Sequence, residues 1–90
     1  MNYLHKDFRL QEGDVVEVTL DHSANVQLLD SANFELYSLG KPYRYHGGYA
    51  NESPVNLDVP TAGRWHLVVD LGGGTGSVRA SVQILSPQPV

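Results

Sequence analysis

The sequence predicts an all-β fold, an antiparallel β-sandwich or jelly roll of about eight strands. Three observations lead there. Apolar residues recur with a period of two through most of the chain. Clusters of Gly, Pro, Asn, Asp and Ser break that pattern at short intervals. Valine and leucine dominate, and no segment keeps a helical period over three turns.

Taken in order, Tyr3 to Leu10 is a weakly alternating run that ends at the turn Gln11-Glu12-Gly13-Asp14. Val16, Val18 and Leu20 then alternate with Glu17 and Thr19, and Asp21-His22-Ser23-Ala24 closes that strand. Asn25 to Asp30 reads as a further strand. Asp30-Ser31-Ala32-Asn33 reads as a turn, and Asn33 to Leu39 as another weak strand, although Ala24 to Leu36 has room for a short helical turn. Gly40-Lys41-Pro42 introduces the run Tyr43 to Tyr49, and Asn51-Glu52-Ser53-Pro54 ends it. Val55, Leu57 and Val59 alternate next, up to the turn Pro60-Thr61-Ala62-Gly63. Trp65, Leu67, Val69 and Leu71 form the clearest inward row, which makes Trp65 a core residue rather than a ligand platform. Gly72 to Gly76 forms a glycine-rich turn, and Val78, Ala80, Val82 and Ile84 make the last row.

Ninety residues allow one core, so residues 1–85 are expected to form a single domain. Ser86-Pro87-Gln88-Pro89-Val90, with two prolines, is expected to be a flexible C-terminal tail. The hydrophobic fraction of 41% and charged fraction of 18% are those of a folding chain. A formal charge of −4 argues against a general nucleic-acid or anionic-membrane binder. Zero cysteines exclude disulfides, thiolate nucleophiles and Cys-ligated zinc. The charged N-terminus, without the apolar run of a signal peptide, points to a cytoplasmic protein. Five apolar residues, Val15, Leu29, Tyr37, Val68 and Leu85, fall where alternation calls for polar ones. They are either covered within the chain or form an outer apolar sheet face that pairs with another subunit, giving a structural or homo-oligomerising domain.

Few strings carry chemistry. Val68-Val69-Asp70-Leu71-Gly72-Gly73-Gly74-Thr75-Gly76 resembles the phosphate hairpin of the actin and heat-shock chaperone ATPases. The second hairpin and the enclosing cleft of those enzymes are missing, so it is read as a turn between strands with room at most for weak anion binding. His5 and Asp7 share a face, roughly 7 Å apart along a strand, but no third ligand accompanies them. Asp14, Asp21, Asp30 and Asp58 lie in or beside turns, where such carboxylates accept local backbone N–H groups. No G-x-S-x-G or H-E-x-x-H motif is present. The chain is therefore read as neither an enzyme nor a cofactor protein. A small metal-dependent hydrolase around His5, Asp7 or the loop aspartates is the weakest alternative.

Lys41 to Asn51 is different. It gathers three of the five tyrosines, two basic residues, one histidine and two glycines. Extended, it would place Tyr43 and Tyr45 on one face and Arg44 and His46 on the other, followed by a Gly-Gly bulge. Tyrosine offers a flat apolar face with a polar tip, and arginine forks onto anionic groups. Tyr43, Arg44, Tyr45, His46 and Tyr49 are accordingly the candidate ligand-binding residues, for a small molecule, a glycan or a partner protein. The net charge opposes a single-stranded nucleic acid stacked on these tyrosines.

Across residues 1 to 85 the succession of segments adds a resemblance. Gly13-Asp14-Val15-Val16-Glu17-Val18, Asn25-Val26-Gln27-Leu28-Leu29-Asp30, Asn33-Phe34, Tyr45-His46-Gly47-Gly48 and Pro60 to Gly73 look like a small bacterial family of domains of unknown function. Members of that family occur alone or N-terminal to TIR domains. The resemblance implies a β-sandwich similar to CUB-like or carbohydrate-binding jelly rolls, and it transfers no functional residue.

Overall fold

A computed structural model describes residues 3–72, 74 and 76–87. Its elements are β1 (Tyr3–Leu10), β2 (Val15–Leu20), β3 (Ala24–Asp30), α1 (Ser31–Ser38), β4 (His46–Ala50), β5 (Val55–Asp58), β6 (Gly63–Asp70) and β7 (Ala80–Leu85). Two antiparallel sheets pack face to face: four strands in the order β1-β6-β3-β4, and three in the order β5-β2-β7. Only the β3–α1–β4 connection stays within one sheet. Every other connection crosses between the sheets, so every strand pair except β3–β4 joins strands that are not consecutive in the chain. The expected sandwich is present. Among the described residues it has seven strands rather than eight, because the run expected at Asn33 to Leu39 is part of the helix.

The core lies between the sheets. Val16 and Val18 from β2, Val26 and Leu28 from β3, Leu57 from β5, and Trp65, Leu67 and Val69 from β6 interdigitate, all buried. Trp65 is 6% exposed and donates its Nε1–H to the Thr61 carbonyl at 2.9 Å, so the core role expected for it holds and its one polar atom is satisfied.

The helix forms where a turn and a strand were expected because its ends are well capped. Asp30 is the N-cap, and its side chain accepts the Asn33 N–H at 2.8 Å. At the other end Gly40, with φ +71°, adopts the left-handed conformation, and the Lys41 and Gly40 N–H groups bond back to the Leu36 and Tyr37 carbonyls. Phe34 and Tyr37, three residues apart, turn one face of α1 onto the outer face of the four-stranded sheet, over buried Leu29 and Val68. That resolves three of the five out-of-pattern apolar residues: Leu29 and Val68 are covered by the chain's own helix, and Tyr37 is the helix residue buried against them. Val15 and Leu85 pair with each other on the outer face of the three-stranded sheet.

Asp14 and Asp30 accept local backbone N–H groups as expected, whereas Asp21 reaches across to a residue distant in sequence. Asp14 accepts the Gln11 N–H at 2.8 Å, and Asp21 accepts the Arg79 N–H at 2.7 Å. Among the described residues no three His, Asp or Glu side chains converge on a metal-sized site. Of the expected tail, Ser86 and Pro87 follow β7, and residues 88–90 lie outside the described residues. Gly73 and Thr75 of the glycine-rich turn lie outside them too. In the described part, the Gly72 N–H is held by the Asp70 side chain.

Candidate functional site

The groove that the tyrosine-rich segment helps to form follows from a mismatch in pairing. The β3–β4 ladder begins at Leu28↔His46, while the β3–β6 ladder continues two residues farther, to Asp30↔Trp65. Before His46 the chain splays away from β3, and the gap is left open above Trp65. This groove, about 540 Å³, is lined by Leu28, Leu29, Asp30, Asn33, Arg44, Tyr45, His46 and Trp65. Its walls are the end of β3, the first turn of α1, the entry to β4 and the start of β6.

Asn33 ties these walls together. Its Oδ1 accepts the Arg44 backbone N–H at 2.8 Å, and its Nδ2 donates to Asp30 Oδ1 at 2.9 Å. The Arg44 side chain is left exposed at the rim. His46 meets the Trp65 ring edge to face at 5.7 Å, and Tyr45, 46% exposed, leans on Tyr43 at 5.5 Å. Aromatic side chains, an exposed guanidinium, a carboxylate and an amide therefore line one concavity.

Of the five residues singled out from sequence, Arg44, Tyr45 and His46 line the groove together. Strict alternation of the segment does not hold, because residues 41–45 are not in a strand and Arg44 shares a groove with Tyr45. Tyr43 turns to the other side of the sheet. Its hydroxyl donates to Gln27 Oε1 at 2.8 Å and its ring meets Tyr37 edge on at 5.2 Å, so it fastens the segment to the helix-covered face. Tyr49 lies farther along β4, opposite Asn25 and 71% exposed, away from the groove. The expected Gly-Gly bulge does not form: β3 and β4 pair one to one through Gly47 and Gly48, although both glycines have positive φ. Gly47 has φ +111°, and a Cβ there would lie 2.2 Å from the Val26 carbonyl oxygen, so only glycine fits. Asp30, Asn33 and Trp65 complete the site. Sequence reading assigned them to a turn, a weak strand and the core, and only the α1 N-cap signature hinted at the first two.

A second polar cluster lies under α1, on the opposite face of the sheet. His5 Nε2 and His66 Nδ1 are 2.9 Å apart, and His66 Nε2 is 2.9 Å from Ser31 Oγ. Phe34 stacks on both imidazoles, at 4.5 Å from His66 and 4.1 Å from His5. Burial, with the neighbouring His5, lowers the His66 pKa below 6.5. His5 and Asp7, which share a face in sequence, part company here: Asp7 pairs with Arg64, whose hydrogen bond holds its carboxyl below the ordinary range. Nearby, Tyr37 donates to Asp70 Oδ2 at 2.6 Å, and Asn25 Nδ2 and the Gly72 N–H each reach Oδ1 at 2.9 Å. Burial raises the Asp70 pKa, but these three bonds outweigh it and hold the carboxyl below 3.8. Burial and the same carboxylate push the Tyr37 hydroxyl well above its ordinary range. Among the described residues neither cluster leaves a buried side-chain polar atom unpaired, and both seat the helix that forms one wall of the groove.

No curated protein and no solved structure matches the chain. A family profile, Domain of unknown function (DUF1883), matches residues 1–88, nearly the whole chain, and the protein belongs to that family.

Proposed function

We propose that this domain is a recognition module, without catalysis of its own, that takes a small polar ligand of the size of a sugar unit in the groove above Trp65. The observation that carries this reading is the lining itself: aromatic Tyr45, His46 and Trp65 and polar Asp30, Asn33 and Arg44 line one groove of about 540 Å³. Aromatic rings suit the apolar face of a pyranose or a similar ring, while a carboxylate, an amide and a guanidinium suit its hydroxyls or an acidic substituent. A glycan or an anion-bearing ring fits this mixture better than a flat protein surface, which calls for a broader apolar centre.

The finer reading, a cytoplasmic sensing or scaffolding domain of bacterial proteins, in some of them joined to a TIR domain, rests on family resemblance. In such a protein the groove would supply recognition and the attached domain the chemistry. The test is a panel of neutral and acidic monosaccharides titrated against the domain, with Tyr45→Ala/Arg44→Ala as the comparison. Both side chains are exposed, so the variant is expected to melt with the parent and to lose the ligand. Retention of an identified ligand by that folded variant would place its site elsewhere.

A further inference from the structure

The two sheets are unequal, and the missing strand has a definite place. The inward residues of β7, Ala80, Val82 and Ile84, lie opposite Leu20, Val18 and Val16 of β2. Val18 and Val16 are buried, yet all three β7 residues are only half-buried. On the facing sheet Leu4 of β1 is an inward-row residue paired with Val69, and it is 45% exposed. Between them runs a cleft of about 170 Å³ lined by Leu4, Lys6, Leu67, Val69, Ala80 and Val82, together with His5. Among the described residues no strand pairs with the free edge of β7.

The four edge strands are not alike. β1 carries His5, Lys6, Asp7 and Arg9, with Lys6 on its inward row opposite Leu67. β4 carries Gly47 and Gly48, both at positive φ. β5 is four residues long and is bracketed by Pro54 and Pro60. Charges, inward-pointing lysines, irregular backbone and shortness are the usual means of keeping an edge from pairing. β7, Ala-Ser-Val-Gln-Ile-Leu, has none of them: six residues with no charge, no proline and no glycine.

We propose that β7 is a docking edge for an extended peptide segment of a partner, which adds a fourth strand to the smaller sheet. The backbone of that segment pairs with β7, and its alternate side chains fill the cleft beneath β1. The cleft selects apolar residues on the inward face of the segment. Lys6, which has no ion-pair partner among the described residues, selects one acidic residue there. A second copy of this chain adding its own β7 fits less well, since β7 carries no acidic residue to meet Lys6.

The probe is a terminally blocked nine-residue peptide in which threonine alternates with valine and one inner valine is replaced by glutamate. Titrated into ¹⁵N-labelled protein, it should shift the amides of β7 and of Leu4 and Lys6, and should slow hydrogen exchange along β7. The same peptide with two central prolines should not bind. Lys6 is exposed, so Lys6→Glu should fold normally, weaken the glutamate peptide about three- to fivefold and favour a lysine version by a similar factor. The proposal is overturned by millimolar peptide that leaves β7 unshifted, or by equal affinities for both peptides in Lys6→Glu. It is also overturned if the protein alone sediments as a dimer with its β7 amides already protected, since a second copy then holds the edge.

Discussion

Tyr37→Phe removes one oxygen atom and tests how α1 is held. In the parent the buried Tyr37 hydroxyl donates to Asp70 Oδ2 at 2.6 Å, leaving Asn25 and the Gly72 N–H on the other oxygen. Phenylalanine keeps the ring packing against Leu29 and Val68 but leaves Oδ2 of a carboxylate that is 5% exposed without its donor. A hydrogen bond to a charged group contributes about 1.5–3 kcal/mol. In a domain of this size each kcal/mol corresponds to about 4–8 °C in melting temperature. The assay is urea unfolding of both proteins at pH 7 and pH 3. The Asp70 pKa is below 3.8 in the folded state, so its contribution is complete above 3.8 and is lost as pH falls through the folded value. The gap between Tyr37→Phe and the parent should therefore be full at pH 7 and narrow in acid, where a neutral carboxyl accepts a weaker bond. A gap below about 0.5 kcal/mol at pH 7, the scatter of surface substitutions, would refute the reasoning. So would a gap that widens on acidification.

Other outcomes follow from the same packing. Burial lowers the His66 pKa, so stability should be complete above 6.5 and decline as pH falls from 6.5 toward the folded value, and His66→Gln should flatten that decline in urea midpoints compared at pH 7.5 and 5. Trp65→Ala should cost about 3–5 kcal/mol, enough to unfold much of a 90-residue domain at 37 °C by circular dichroism. An unchanged melting temperature would remove Trp65 from the core. Gly47→Ala drives a Cβ against the Val26 carbonyl at positive φ and should cost at least about 2 kcal/mol by urea unfolding. Asp30→Ala should remove about 1 kcal/mol of helix capping, with faster amide exchange confined to the first turn of α1.

The legible part of the fold was the part written in period two. The inward rows Val16-Val18, Trp65-Leu67-Val69 and Val82-Ile84 stand where alternation puts them. The helix was hidden because its buried face needs only Phe34 and Tyr37, and because Asp30 and Asn33, its cap, have the composition of a turn. Leu29, Tyr37 and Val68 signalled that something covers the outer face, and only tertiary structure showed that the cover is the chain's own helix. Of the tyrosine-rich segment singled out by composition, Arg44, Tyr45 and His46 line the groove and Tyr43 and Tyr49 do not. Tyr43 precedes His46, where the segment is outside the sheet and strand alternation stops applying, and Tyr49 lies farther along β4. The contact of His5 with His66 spans 61 residues and comes from β1–β6 pairing, which no local pattern encodes.

The central claim, a ligand groove above Trp65, is most directly tested by amide and indole chemical-shift mapping while acidic and neutral monosaccharides are titrated into the labelled protein. Trp65 is the only tryptophan, so its indole signal is unambiguous. Saturable shifts are expected at the Trp65 indole, Asn33, Arg44, Tyr45 and His46 for at least one member of the panel, with the glycine-rich turn unaffected. Saturable shifts centred on any other surface, with those five positions silent, would contradict it.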